Sequence, residues 1–108
     1  MKSKLLIAVI AMTISGLVFA QTKTSFGMPD CGEWVTSQTT GIQKPGDRAW
    51  LLGFLSGLNE NYIYKDALDK VSSAAQIWLW MDNYCKNNPL ERVNQGAYKL
   101  LGELMLKK

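Results

Sequence analysis

The chain has 108 residues with 12 Lys/Arg, nine Asp/Glu and no histidine, enough for one small domain and no more. A net charge of +3 supplies no basic field for nucleic acid. The missing histidine removes Ser-His-Asp and Cys-His nucleophile arrangements, together with the commonest zinc ligands.

The first twenty residues read as an export signal. Lys2 and Lys4 precede an apolar run from Leu5 to Met12, which loosens through Thr13, Ser15 and Gly16 and ends at Val18-Phe19-Ala20. Residues of this size three and one positions before a cut suit signal peptidase, so cleavage is expected after Ala20. The run is too short for a membrane anchor, which needs roughly 20 strongly apolar residues. Cys31 lies too far downstream for a lipid-attachment site. Cleavage leaves 88 residues and takes away two lysines, so the mature part has ten Lys/Arg against nine Asp/Glu and a net charge of +1. No membrane insertion is expected after cleavage.

Two cysteines in a short exported chain read as one disulfide, Cys31 to Cys85, because the compartment oxidises thiols and a small core needs a staple. The loop it closes spans 54 residues. Loop-closure entropy puts the stabilisation at roughly 4 kcal/mol as an upper figure, comparable with the whole stability of such a domain.

Residues 21–29 are polar and small and are expected to form a loose arm, with a single helical domain over 30–108. Asp30 is a cap for a first helix that turns Cys31 and Trp34 inward. Thr36 to Gly46 is polar and broken by Gly41, Pro45 and Gly46, the composition of a loop. Asp47 then caps a second helix to about Asn61, with Trp50, Leu51, Phe54, Leu55 and Leu58 on one face and Tyr62 just beyond. Gly53 and Gly57, four apart beside that face, suggest close helix packing.

Asn61 to Lys65 reads as a connector, and Asp66 or Asp69 opens a short turn before Val71. Ser72 or Ser73 starts a third helix with Ala74, Ile77, Trp78, Met81 and Cys85 on one face. Asn87-Asn88-Pro89 ends it and begins the next. Asn88 caps, Pro89 takes the first position, and Glu91 completes a capping-box spacing. The fourth helix carries Leu90, Val93, Ala97, Leu100, Leu101 and Leu104 as one stripe, with Lys107 and Lys108 suiting its C-terminal end. The expected fold is all-α, a small orthogonal four-helix bundle closed by one disulfide.

No catalytic site emerges. With both cysteines in a disulfide no thiolate nucleophile is left, and the acidic pairs Glu33 with Asp47 and Glu60 with Asp66, whose spacing carries no signature, read as helix caps and solvated surface acids rather than as the acid–base pair of a glycosidase. There is no phosphate-binding glycine loop, calcium loop or haem motif. Hence no enzyme activity, cofactor or metal is expected. What needs explaining is the apolar excess. Leu52 points nearly opposite Phe54, Leu79 nearly opposite Met81, and Trp80 lies at a seam beside Tyr84. A helix that is apolar almost all round is either central or offered to a partner. Leu52, Leu79 and Trp80 are therefore the candidate partner surface.

Asp30-Cys31-Gly32-Glu33-Trp34-Val35 resembles the first cysteine motif of the periplasmic acid-stress chaperones HdeA and HdeB. Tyr84-Cys85-Lys86-Asn87-Asn88-Pro89 is similar to their second-cysteine segment, and Trp50 to Asn59 sits where they have a central helix. The likeness runs from about Asp30 to Leu104. The Gly53-Phe54-Leu55-Ser56-Gly57 segment and the cysteine followed shortly by Pro89 also look like the Tai-type amidase-immunity proteins of type VI secretion. Small exported proteins of conjugative plasmids have a similar build. The chain departs from the chaperone pattern in its tryptophan content and its Gly53/Gly57 pair. The resemblance implies a periplasmic protein that binds other proteins, either as a stress chaperone or as a dedicated antagonist or transfer accessory. It also implies a possible homodimer.

Overall fold

The computed structural model describes residues 25–39 and 45–108; the segment expected to act as an export signal, and the cleavage expected after Ala20, lie outside them. Among the described residues the chain forms four α-helices: α1 (Cys31–Thr39), α2 (Pro45–Asn59), α3 (Ala74–Asn87) and α4 (Val93–Leu106). Two 3-10 turns, Tyr62–Tyr64 and Ala67–Lys70, lie between α2 and α3. The architecture is a helical bundle: α1 packs on α3, α2 on α4, and α3 on α4, with the second 3-10 turn also against α4. No helix among the described residues is long and apolar enough to cross a membrane.

α1 starts as its sequence dictates. Asp30 Oδ1 accepts from the Glu33 amide at 2.7 Å, satisfying one orphan donor of the first turn. Gly32 fits beside that carboxylate, since a Cβ there would stand 3.2 Å from Asp30 Oδ1. Cys31, Trp34 and Ser37 face inward. The helix runs on past Thr36, where a loop is expected, because the buried Ser37 hydroxyl donates to the Trp34 carbonyl at 2.8 Å. That bond satisfies the hydroxyl inside the helix rather than at a turn.

The chain leading into α1 is anchored from Phe26 onward. Phe26 carbonyl accepts from Trp50 Nε1 at 2.7 Å, Gly27 has φ +74° and lies against the Trp50 ring, and Pro29 is fully buried. A side chain at Gly27 would face both the left-handed backbone and a contact of 3.3 Å to the indole, so glycine is required there.

α2 begins at Pro45, with Asp47 in its first turn rather than as its cap; proline suits a first helical position and an acid the first turn. Leu51 and Leu55 are fully buried, and Trp50, Phe54 and Leu58 pack against the core. The helix stops at Asn59 because that side chain serves the connector: Nδ2 donates to Asp66 Oδ1 and Oδ1 accepts from the Leu68 amide. Asn61 instead caps the first 3-10 turn through the Ile63 amide. Tyr62 consequently leaves the helical register and is 88% exposed. Lys65 and Asp66 both take left-handed backbone (φ 52° and 51°), reversing the chain between the two turns.

α3 buries Ile77, Met81 and Cys85, the expected face. The expected start of α4 is wrong, and the reason is local. Asn88 spends its side chain backwards, donating from Nδ2 to the Tyr84 carbonyl at 2.9 Å, which closes α3 instead of opening α4. Residues 89–91 then turn, and Arg92 caps α4, its amide donating to Gln95 Oε1. This places Glu91 and Val93 beside the segment that enters α1: Cys31 N donates to Glu91 O and Val93 N to Pro29 O, around an isolated antiparallel bridge between Asp30 and Arg92. Leu90, expected on the apolar stripe, is 98% exposed in the turn. The rest of the stripe, Val93, Ala97, Leu100, Leu101 and Leu104, is buried.

The Cys31–Cys85 disulfide is present, with the two Cα atoms 4.7 Å apart. It joins the first turn of α1 to the last turn of α3, next to the bridge at residues 30 and 92. Close helix packing occurs at Gly96, not at Gly53 or Gly57. A Cβ on Gly96 would meet Met81 Sδ at 2.6 Å and Tyr84 Cδ1 at 2.8 Å, whereas Gly53 and Gly57 have nothing within 4 Å.

Candidate functional site

An open groove of about 480 Å³ lies between α3, α4 and the segment after the second 3-10 turn. The nearly buried side chains of Ile77, Leu100 and Leu104 are part of its lining, as are Leu79 and Trp80 on the α3 side. These positions come together because the N-terminal half of α3 lies beside the C-terminal half of α4.

Trp80 is held rather than loose. Its Nε1 donates to Glu103 Oε2 across the groove at 2.8 Å. Its ring stacks on Tyr84 with centroids 5.3 Å apart and planes 10° from parallel, and the Tyr84 hydroxyl bonds to Glu91. Leu79, one residue earlier, is 62% exposed. Leu79 thus leaves apolar surface accessible at the edge of the groove, beside the fixed indole.

The three candidate residues do not form one patch. Leu79 and Trp80 share the groove, while Leu52 is half-buried against the core and lines a shallower depression with Leu68, Val71 and Ala74. Val71, Ser72 and Ile77 line both hollows. Sequence reasoning missed the groove's charged lining, Lys70, Glu103 and Lys107. Lys70 reaches it by donating from Nζ to the Leu104 carbonyl at 2.7 Å, a pairing across 34 residues with no local signature.

A second aromatic run lies on the α2–α4 side. Trp50 stacks on Phe54 at 4.8 Å, and Phe54 meets Tyr98 edge-on at 5.7 Å. A third joins the helices at α1: Trp34 Nε1 donates to Asp82 Oδ1 at 2.7 Å, Trp34 packs on Trp78 at 6.3 Å, and the Arg48 guanidinium lies 5.3 Å from the Trp78 ring centre. Trp34, Trp50 and Trp78 thus bind the bundle together, and Trp80 borders its groove.

Several of the acids act as hydrogen-bond acceptors, while Asp47 Oδ2 is buried without a hydrogen-bond partner. Asp30 caps α1, Asp66 accepts from Asn59, Asp82 from Trp34 and Glu103 from Trp80. Among the described residues no group of three His, Cys, Asp or Glu side chains is placed to hold a metal ion. The groove's lining sets the apolar side chains of Ile77, Leu79, Leu100 and Leu104 beside the charged groups of Lys70, Glu103 and Lys107. No family model, no curated protein and no solved structure matches this chain.

Proposed function

We propose that this protein is a small periplasmic, non-enzymatic polypeptide-binding protein of HdeA/HdeB-like type, which works through the α3–α4 groove. The observation that carries this reading is Leu79, 62% exposed beside an indole fixed by Glu103 and Tyr84. An open groove, half of whose lining residues are apolar and which carries an exposed leucine, suits a polypeptide better than a small molecule, which pockets bury by 70–90%.

Acid supplies the stress form of the reading. The mature chain has nine side-chain carboxyl groups and no histidine, so protonating all of them moves its side-chain net charge from +1 to +10. Carboxylates hold Trp34, Trp80 and the start of α1. Losing their charge weakens those bonds while self-repulsion loosens packing and the disulfide keeps the chain compact. The purified mature protein is expected to suppress aggregation of acid-denatured clients at about pH 2–3 and not at pH 7. Equal protection at both pH values, or none at either, contradicts the chaperone form.

A dedicated partner, as for an antagonist or transfer accessory, is the second reading. It is favoured by the groove's being already formed in the folded chain, with Trp80 locked in place.

A further inference from the structure

Charge at the groove narrows what it binds. Lys70 and Lys107 are among its lining residues, and Glu103, the carboxylate among them, already accepts from Trp80 Nε1. Lys70 spends one of its three N–H groups on the Leu104 carbonyl, leaving two for an incoming acceptor. The lining therefore combines apolar side chains with the neutral Ser72, Gln76 and Asn83, two cations and one carboxylate, a balance of one positive charge. A groove between two packed helices, open along one side, accommodates the apolar face of a third helix.

On the dedicated-partner reading, in which the groove binds polypeptide at neutral pH, we infer that its occupant is an amphipathic helical segment of a partner protein. This segment lays an apolar stripe on Ile77, Leu79 and Leu104 and presents carboxylates to Lys70 and Lys107. The competing occupant, a second copy of this chain docking by its own α4 end, would bring Lys107 and Lys108 toward these same cations. Charge disfavours it.

Two fluorescein-labelled amphipathic peptides of about 18 residues, long enough to form a helix against a groove, provide the probe. They share the same leucine positions and differ only in whether the polar face is glutamate or lysine. At pH 7 and low salt the glutamate peptide is expected to bind about tenfold more tightly, the scale of one or two partly desolvated charge pairs. Lys70→Gln/Lys107→Gln should lose about fivefold of that preference, and Lys65→Gln/Lys86→Gln, which removes equal charge away from the groove, less than about twofold. Lys107→Gln alone, at an exposed position past the end of α4, gives part of the loss without touching the Lys70–Leu104 bond. Equal binding of the two peptides, or equal losses in the two double variants, overturns the inference. An unfolded, alkylated client separates the two levels. Client binding without peptide discrimination removes the charge preference and leaves polypeptide binding standing, whereas no binding of client or peptide at pH 7 removes both the charge preference and the dedicated-partner reading.

Discussion

Replacing Gly96 by alanine and Gly53 by alanine should move stability in opposite directions. Both glycines are interior helix positions, so both substitutions gain about 0.8–1 kcal/mol of helix propensity. At Gly53 nothing lies within 4 Å of the new Cβ, and the gain stands alone. At Gly96 the Cβ arrives 2.6 Å from Met81 Sδ and 2.8 Å from Tyr84 Cδ1. Met81 is flexible but fully buried, while the Tyr84 ring is stacked on Trp80 and bonded to Glu91 and cannot swing aside. Overpacking of this kind costs about 1–3 kcal/mol. Propensity cancels between the two variants, so their difference isolates the contact: about 1–3 kcal/mol, at about 4–8 °C of Tm per kcal/mol for a domain of this size. Thermal melts of both oxidised proteins, with Gly57→Ala as a second open-site control, measure it. The double variant Gly96→Ala/Met81→Ala should show a coupling above about 0.5 kcal/mol, as contacting residues do. Equal melting shifts for Gly96→Ala and Gly53→Ala would refute the close α3–α4 approach.

Cys31→Ser should cost roughly 2–5 kcal/mol, read by denaturant unfolding, and intact mass should show the oxidised wild-type protein beginning at Gln21. Leu79→Ser is expected to change stability by less than about 0.5 kcal/mol because the side chain is exposed, whereas Leu52→Ser should cost about 1–3 kcal/mol through lost packing; melting curves separate them. Asp82→Ala leaves the Trp34 indole N–H inside the bundle without its acceptor, a loss of about 1–3 kcal/mol, and tryptophan fluorescence during unfolding reports it.

Helical periodicity made most of the bundle legible. The buried sets Leu51/Leu55, Ile77/Met81/Cys85 and Val93/Ala97/Leu100/Leu101/Leu104 follow from apolar spacing alone, and the cysteine pair from count and context. Capping chemistry was ambiguous where one side chain had two possible uses. Asn88 was free to open α4 or close α3, and it closes α3 because residues 91–93 are needed beside residues 29–31. Asn59 ends α2 early for a similar reason, its amide being committed to Asp66 and Leu68. The glycines misled because spacing marks a small-residue face without saying what lies opposite it. Gly53 and Gly57 face open space, and the close approach falls at Gly96, a position with no pattern around it. Of the partner candidates, Leu79 and Trp80 were legible as apolar excess on α3. Lys70, Glu103 and Lys107 were not, because the groove exists only once the end of α4 reaches the start of α3.

Polypeptide binding at the α3–α4 groove is open to direct reading by nitrogen-15 NMR of the indole N–H groups. The four tryptophans supply separate reporters: Trp34 donates to Asp82, Trp50 to the Phe26 carbonyl and Trp80 to Glu103, while Trp78 packs against Trp34 and Arg48. On titration with an unfolded, alkylated client chain, the Trp80 indole and the Leu79 amide should shift or broaden first, with Trp34 and Trp50 unchanged. Perturbation centred on Trp50 and Tyr98, or no perturbation of Trp80 under conditions where the client binds, would contradict the account.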